Sequence, residues 1–180
     1  MATPTPWLPV LCNIAPPPVR RKEALRREYT KIVANHSLPI HQDFPPALSR
    51  LKSRKPPLRL ASQLCTGNYS THQAWYDQWE TFDGTNEMLV NDPANEVYGM
   101  SLPRKEWSLL NRFRTGVGRC NSWKFKWGQS VDPSCDCGVR QTMHHIAEKC
   151  HLRSFSGGLR GLHNGSVEGL QWLIGLDLAL

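Results

Sequence analysis

The chain has 180 residues, a formal net charge of +7 and a sequence pI near 9.3. That length suits one domain or two small ones, no apolar run approaches a membrane span, and fourteen prolines with thirteen glycines exclude a long helical rod. The charge is uneven: residues 1–59 carry +8, residues 60–103 carry −6 and residues 104–180 carry +5.

Two basic blocks therefore flank an acidic one. A phosphate backbone is the natural partner for the basic blocks, against the competing reading of a solvated surface with no partner. The proline-rich start lacks the basic flank of a signal peptide. A reducing location, cytoplasm and nucleus, is expected, with no membrane partner. In such a compartment clustered cysteines point to metal rather than to disulfides. Cys12, Cys65 and Cys120 read as free thiols.

In chain order, residues 1–18 read as an extended proline-rich linker closed by Pro16, Pro17 and Pro18. Residues 19–35 read as a basic helix, with Leu25, Tyr29, Ile32 and Val33 at helical spacing among Arg20, Arg21, Lys22, Arg26, Arg27 and Lys31. Leu48 to Leu60 reads as a basic connector broken by Pro56 and Pro57. A helix is predicted over 70–82, capped by Ser70 or Thr71, with Trp75, Trp79 and Phe82 as a packing stripe. The acidic stretch Thr81 to Gly99 reads as loop.

Residues 103–115 predict a further helix, started by Pro103 and ended by Gly116. Trp107, Leu110 and Phe113 share one arc of it, with Arg112 opposite. The next loop, Thr115 to Arg119, places two glycines between Arg114 and Arg119, so its backbone can approach a phosphate. Trp123-Lys124-Phe125-Lys126-Trp127 interleaves aromatic and basic side chains, the pairing that suits single-stranded nucleic acid. Trp123 or Phe125 is the expected stacking ring, and Trp127 is expected to pack beneath the cysteine cluster.

That cluster is the most informative stretch. Cys135, Cys137, His145 and Cys150 follow the pattern C-x-C-x7-H-x4-C. Three thiolates and an imidazole make a closed tetrahedral set for structural Zn²⁺. Thr142 can cap a short helix carrying Met143, His145 and Ile146. His145 and Cys150 would lie on different faces of a continuous α-helix, so the helix should stop near Glu148 or Lys149 and Cys150 should fold back from beyond its end. His144 points elsewhere on that helix; it and His151 are the fallback ligands. After the cluster, Arg153 to Gly165 reads as glycine-rich loop. Ser166 caps a final helix with Leu170, Leu173, Ile174 and Leu178 on its apolar face.

No adjacent aspartates, phosphate-binding glycine loop or nucleophile turn is present. Neither a catalytic residue nor a small-molecule substrate is expected. Four stretches resemble the C-terminal tail of the reverse-transcriptase polyprotein of jockey-type non-LTR retrotransposons. They are Trp7-Leu-Pro-Val-Leu-Cys-Asn-Ile-Ala-Pro-Pro17, Leu51-Lys-Ser-Arg-Lys-Pro-Pro-Leu58, Leu110-Asn-Arg-Phe-Arg-Thr-Gly-Val-Gly-Arg119, and Lys126-Trp-Gly leading into the cysteine cluster.

The resemblance implies a region downstream of endonuclease and polymerase domains, whose zinc knuckle binds nucleic acid. Cys135, Cys137, His145 and Cys150 take the ligand places, and Arg112, Arg114 and Arg119 match the basic loop. Val117 stands where the family often has histidine, and the spacer between Cys137 and His145 is a residue shorter than is common there. A tail alone implies no polymerase or endonuclease activity.

The expected fold is mainly α: a small helical domain with a CCHC zinc knuckle and an irregular, proline-rich N-terminal region. Its expected parts are 1–18, 19–100 and 101–180. The expected cofactor is zinc. The expected nucleic-acid contacts are Arg112, Arg114, Arg119, Trp123, Lys124 and Lys126, with a reverse-transcriptase core as a further partner. The competing readings are a protein-interaction module presenting a Trp75–Trp79 face, and a retroelement remnant without function.

Overall fold

The computed structural model describes residues 2–43 and 57–176, and in it the chain is mainly helical. Its helices are α1 (Trp7–Cys12), α2 (Pro17–Ala34), α3 (Pro57–Thr66), α4 (Thr71–Glu80), α5 (Arg104–Thr115), α6 (Asn121–Lys126), α7 (Gly158–Asn164) and α8 (Val167–Gly175). Among the described residues the only β pairing is the isolated bridge between Ser134 and Arg140, and no helix is long and apolar enough to cross a membrane. The basic connector residues Arg50, Lys52, Arg54 and Lys55, most of the Leu51–Leu58 stretch, and Leu178 lie outside the described residues.

The chain forms two units, and their limits differ from boundaries at 18 and 100. One unit is Ala15–Glu80; the other joins Met1–Ile14 to Thr81–Leu180. In the first, α3 and α4 pack against α2. Ser70 caps α4, its Oγ accepting from the Gln73 amide at 3.2 Å. Trp75 and Trp79 are buried, so they form packing surface and not an exposed docking face. On α2 the cations are largely exposed, and Arg26 pairs with Glu23 at 2.7 Å.

The second unit corrects the linker expectation for its N-terminal stretch. Residues 7–12 form α1, in which Trp7 and Val10 are wholly buried. Proline does not prevent this. Pro9 is the third residue of the helix, where an amide hydrogen would have no intrahelical acceptor. Trp7 Nε1 donates to the Thr85 carbonyl at 3.2 Å, and Asn13 ends the helix in a left-handed turn, φ 49°.

The core of this unit is Leu89, Leu110, Phe113, Cys120, Met143, Ile146, Phe155, Leu159, Leu162 and Leu173. α5 follows the expected register, with Leu110 and Phe113 buried and Gly116 closing it at φ 67°. Residues 158–164 are helical where loop was expected. The Phe155 ring packs over Gly157 and Gly161, where added Cβ atoms would come within 2.6 and 2.9 Å of it. Glu148 Oε1 accepts from the Leu159 amide at 3.0 Å and anchors the first turn. On α8, capped by Ser166 through the Gly169 amide at 3.0 Å, the inward residues are Leu173 and Trp172, while Ile174 is exposed. Trp172 packs against Phe113 and Phe155, ring centroids 5.4 and 5.9 Å apart.

Candidate metal centre and adjoining basic face

The chain builds the centre from a tight hairpin and one wide helical turn. In the hairpin, the Cys135 amide donates to the Val139 carbonyl at 2.7 Å and the Gly138 amide to the Cys135 carbonyl at 2.8 Å. Gly138 turns the chain at φ 83°, a left-handed conformation that other residues adopt at a cost of about 1–2 kcal/mol. The helical segment opens with Thr142, whose Oγ1 accepts from the His145 amide at 3.0 Å.

Residues His145–Lys149 then form a π-type turn, closed by the Cys150 amide donating to the His145 carbonyl at 2.8 Å. The helical segment stops at Lys149, as expected, and Cys150 lies beyond its end in extended conformation, ψ 113°; the wide π pitch is the feature the sequence does not announce. A turn with i to i+5 hydrogen bonding brings residues five apart to the same side, which an α-helix cannot do. His145 and Cys150 thus face one point.

The ligand atoms of Cys135, Cys137, His145 and Cys150 all lie within 4.8 Å of one another, a cluster that could hold a metal ion. Cys135 Sγ is 3.8 Å from Cys150 Sγ, and Cys137 Sγ is 3.1 Å from His145 Nε2. The sulfurs are far beyond disulfide bonding distance, about 2.05 Å, and all six cysteines are free. His144 is exposed and pairs with Glu148 at 3.4 Å, and His151 is exposed, so neither takes a ligand place.

The electrostatics favour a cation. Burial opposes a Cys135 thiolate. The Cys137 amide, the Gln141 side chain, the His145 ring and the Cys137 thiol outweigh it and bring the Cys135 pKa down from 9.0 to about 6. For Cys137 the Val139 amide favours the thiolate, but burial and the sulfurs of Cys135 and Cys150 raise its pKa overall. A second thiolate beside the first is disfavoured unless positive charge joins them.

Two side chains that sequence reasoning passed over support the sulfurs. Gln141, wholly enclosed, donates from Nε2 to Cys135 Sγ at 3.6 Å, while its Oε1 accepts from the Asn121 amide at 2.8 Å. Arg153 donates to Cys135 Sγ at 3.5 Å and pairs with Asp136. Gln141 thereby ties the sulfur cluster to the start of α6. Asn121 Nδ2 to the Ser134 carbonyl, at 2.7 Å, and Arg140 Nε to Ser122 Oγ, at 2.9 Å, complete that joint. Gln141→Leu is expected to weaken metal binding about tenfold, as loss of a ligand-orienting partner does, whereas His144→Ala leaves it unchanged. A competition titration with a colorimetric chelator measures both.

The expected nucleic-acid contacts divide. Arg119 and Lys126 are exposed, and Arg112 and Lys124 half-buried. Arg114 is withdrawn into the core: it is 1% exposed and donates to Asn111 Oδ1, the Tyr98 carbonyl, and the carbonyl and Nδ1 of His163. It is therefore not a phosphate contact. Its position explains why, for it lies one turn from Leu110 on the face that α5 buries.

The aromatic assignment changes for two of the three rings, while Phe125, one of the two expected stacking rings, is exposed. Trp123 packs on the core, donates to the Gly116 carbonyl at 3.3 Å and is covered by Lys126 Nζ at 4.3 Å from its ring centre. Trp127 and Phe125 are exposed, and Trp127 stacks on Trp123 at 6.1 Å. The loop glycines serve close packing: Cβ atoms on Gly116 and Gly118 would come 2.6 Å from Thr85 and 2.5 Å from Met143. No family model, curated protein or solved structure matches the chain.

Proposed function

We propose that the chain is a zinc-stabilised nucleic-acid-binding module, the tail of a jockey-type non-LTR retrotransposon reverse transcriptase, without polymerase or endonuclease activity of its own. The observation that carries this reading is the convergence of Cys135, Cys137, His145 and Cys150 within 4.8 Å. Two sulfurs each about 2.3 Å from a tetrahedral zinc lie about 3.8 Å apart, which matches the 3.8 Å between Cys135 and Cys150. Three protein thiolates with one imidazole leave no open position on the ion, so its role is structural. Gln141 passes that rigidity to α6, which presents Lys124 and Lys126 beside exposed Phe125 and Trp127.

The ligand is single-stranded RNA or DNA, bound through phosphates and stacked bases with little sequence preference. A reverse-transcriptase core is a second partner in this reading. The test is an anisotropy titration of a labelled oligonucleotide at rising salt. Affinity should fall about tenfold to a hundredfold between 50 and 200 mM monovalent salt. Binding indifferent to salt, or none at the lowest salt, sinks the proposal.

A further inference from the structure

The second unit contains a cleft of about 470 Å³ lined by Arg104, Arg112, Arg119, Trp107 and Trp127, with Gly118 in its wall. Clefts of about 300–1,000 Å³ hold small ligands or parts of larger ones. Three arginines are among the lining residues, and neither aspartate nor glutamate is. Arg104 and Arg112 stand two turns apart on α5, about 12 Å along its axis. Ser108, Asn111 and Thr115 continue the same polar face between and beyond them. The cations are thus strung along the cleft and not gathered about a point, an arrangement that suits successive phosphates better than one. The indole of Trp127, 37% exposed, adds a flat apolar surface to the same cleft.

We infer that this cleft is the seat of a single-stranded nucleic acid, with Arg104, Arg112 and Arg119 on its phosphates and Trp127 stacked on one base. The inference rests on the nucleic-acid reading above and assigns it to α5 and the Gly118 loop rather than to the lysines of α6. Arginine donates in a planar fork that matches phosphate oxygens. Base stacking on an indole tolerates any sequence. Duplex is the poorer ligand, because its bases are already stacked on one another.

The experiment uses the full chain loaded with zinc and three labelled probes: oligothymidylate, oligouridylate and a DNA duplex of equal length. Arg104→Ala should weaken single-strand binding several-fold and make the salt slope shallower by about 0.7, one phosphate contact fewer. Trp127→Ala should weaken it about tenfold with the slope unchanged. Zinc content equal to that of the parent certifies that both variants fold. Oligothymidylate and oligouridylate tell DNA from RNA, and either result supports the site. Parent-like affinity in both variants, with loss in Lys124→Ala and Lys126→Ala, overturns the cleft and leaves the nucleic-acid reading standing. Tighter binding of the duplex also overturns the cleft. Absence of binding by the parent chain overturns both readings.

Discussion

Cys150→Ser is expected to reduce bound zinc from about one equivalent to near zero and to destabilise the second unit by about 5 kcal/mol. Cys150 is wholly buried beside Ile146 and Ala147, so the change removes a ligand and leaves a hydroxyl and three unneutralised donors inside the unit. The loss stays below the about 10–16 kcal/mol that zinc contributes to isolated fingers, because Leu110, Phe113, Leu162 and Leu173 form a core without it. Metal analysis and thermal unfolding with and without chelator measure the two effects; Cys12→Ser, at an exposed thiol, is the control and should alter neither. Acid has a related effect. The Cys135 pKa is lowered to about 6 from 9.0, so its thiolate contributes in full above the ordinary thiol value and is lost as pH falls through about 6. Protons compete with zinc for the thiolates, so bound zinc should decrease on acidification, and an unfolding midpoint insensitive to chelator above pH 7 would contradict a structural ion.

The second large effect is at Arg114. Among the described residues its guanidinium has no carboxylate partner; it is held by the carbonyls of Tyr98 and His163, by Asn111 and by His163 Nδ1, with Trp107 at 5.4 Å. Burial lowers its pKa to about 10, leaving it charged at neutral pH. Arg114→Met strands those acceptors in the core and should cost about 3–5 kcal/mol. Arg114→Lys should recover only part, since an ammonium cannot span the same acceptors. Nucleic-acid affinity of the folded fraction should be unchanged.

His163 supplies an independent check on the same contact. Burial first, then the Arg114 and Arg160 charges, push its pKa down to about 4. A histidine with a depressed folded pKa contributes stability that is present above about 6.5 and is lost as pH falls through about 4. The effect is about 1–2 kcal/mol once the ring's partial contact with water is allowed for. Chemical denaturation of parent and His163→Gln, compared between pH 7 and pH 4, isolates it as the difference between the two proteins, since zinc loss affects both alike.

The candidate metal cluster was legible because few residue types can hold an ion: Cys135, Cys137, His145 and Cys150 stand out by chemistry alone, and the fold brings their ligand atoms within 4.8 Å of one another. Amphipathic helices were equally legible in α4 and α5, where Trp75, Trp79, Leu110 and Phe113 keep helical spacing. Other features were hidden for physical reasons. The π-type turn at His145–Lys149 is a response to a spacing that no α-helix satisfies, and nothing local in Ile146-Ala147-Glu148-Lys149 marks it. Gln141 is an ordinary amide until the fold sets it between sulfur and helix. Arg114 was read by its charge, although its place beside Phe113 and four residues after Leu110 already put it on the buried face. Arg104 has no local mark, since helix-start arginines are common, yet it lines the same cleft as Arg112. Among seven tryptophans, Trp123 and Trp127 are four apart and similar in every local respect; only tertiary contact decides which one is enclosed.

The position of α1 bears on how the molecule is made. Trp7 and Val10 belong to the unit that otherwise begins at Thr81, so this segment, once synthesised, waits for its partners until all of Ala15–Glu80 has followed it. Meanwhile an indole and a valine destined for complete enclosure stay available to chaperones. A clone trimmed to start near residue 101 forfeits both Trp7 and its acceptor Thr85, and should yield poorly soluble protein however intact its cysteines.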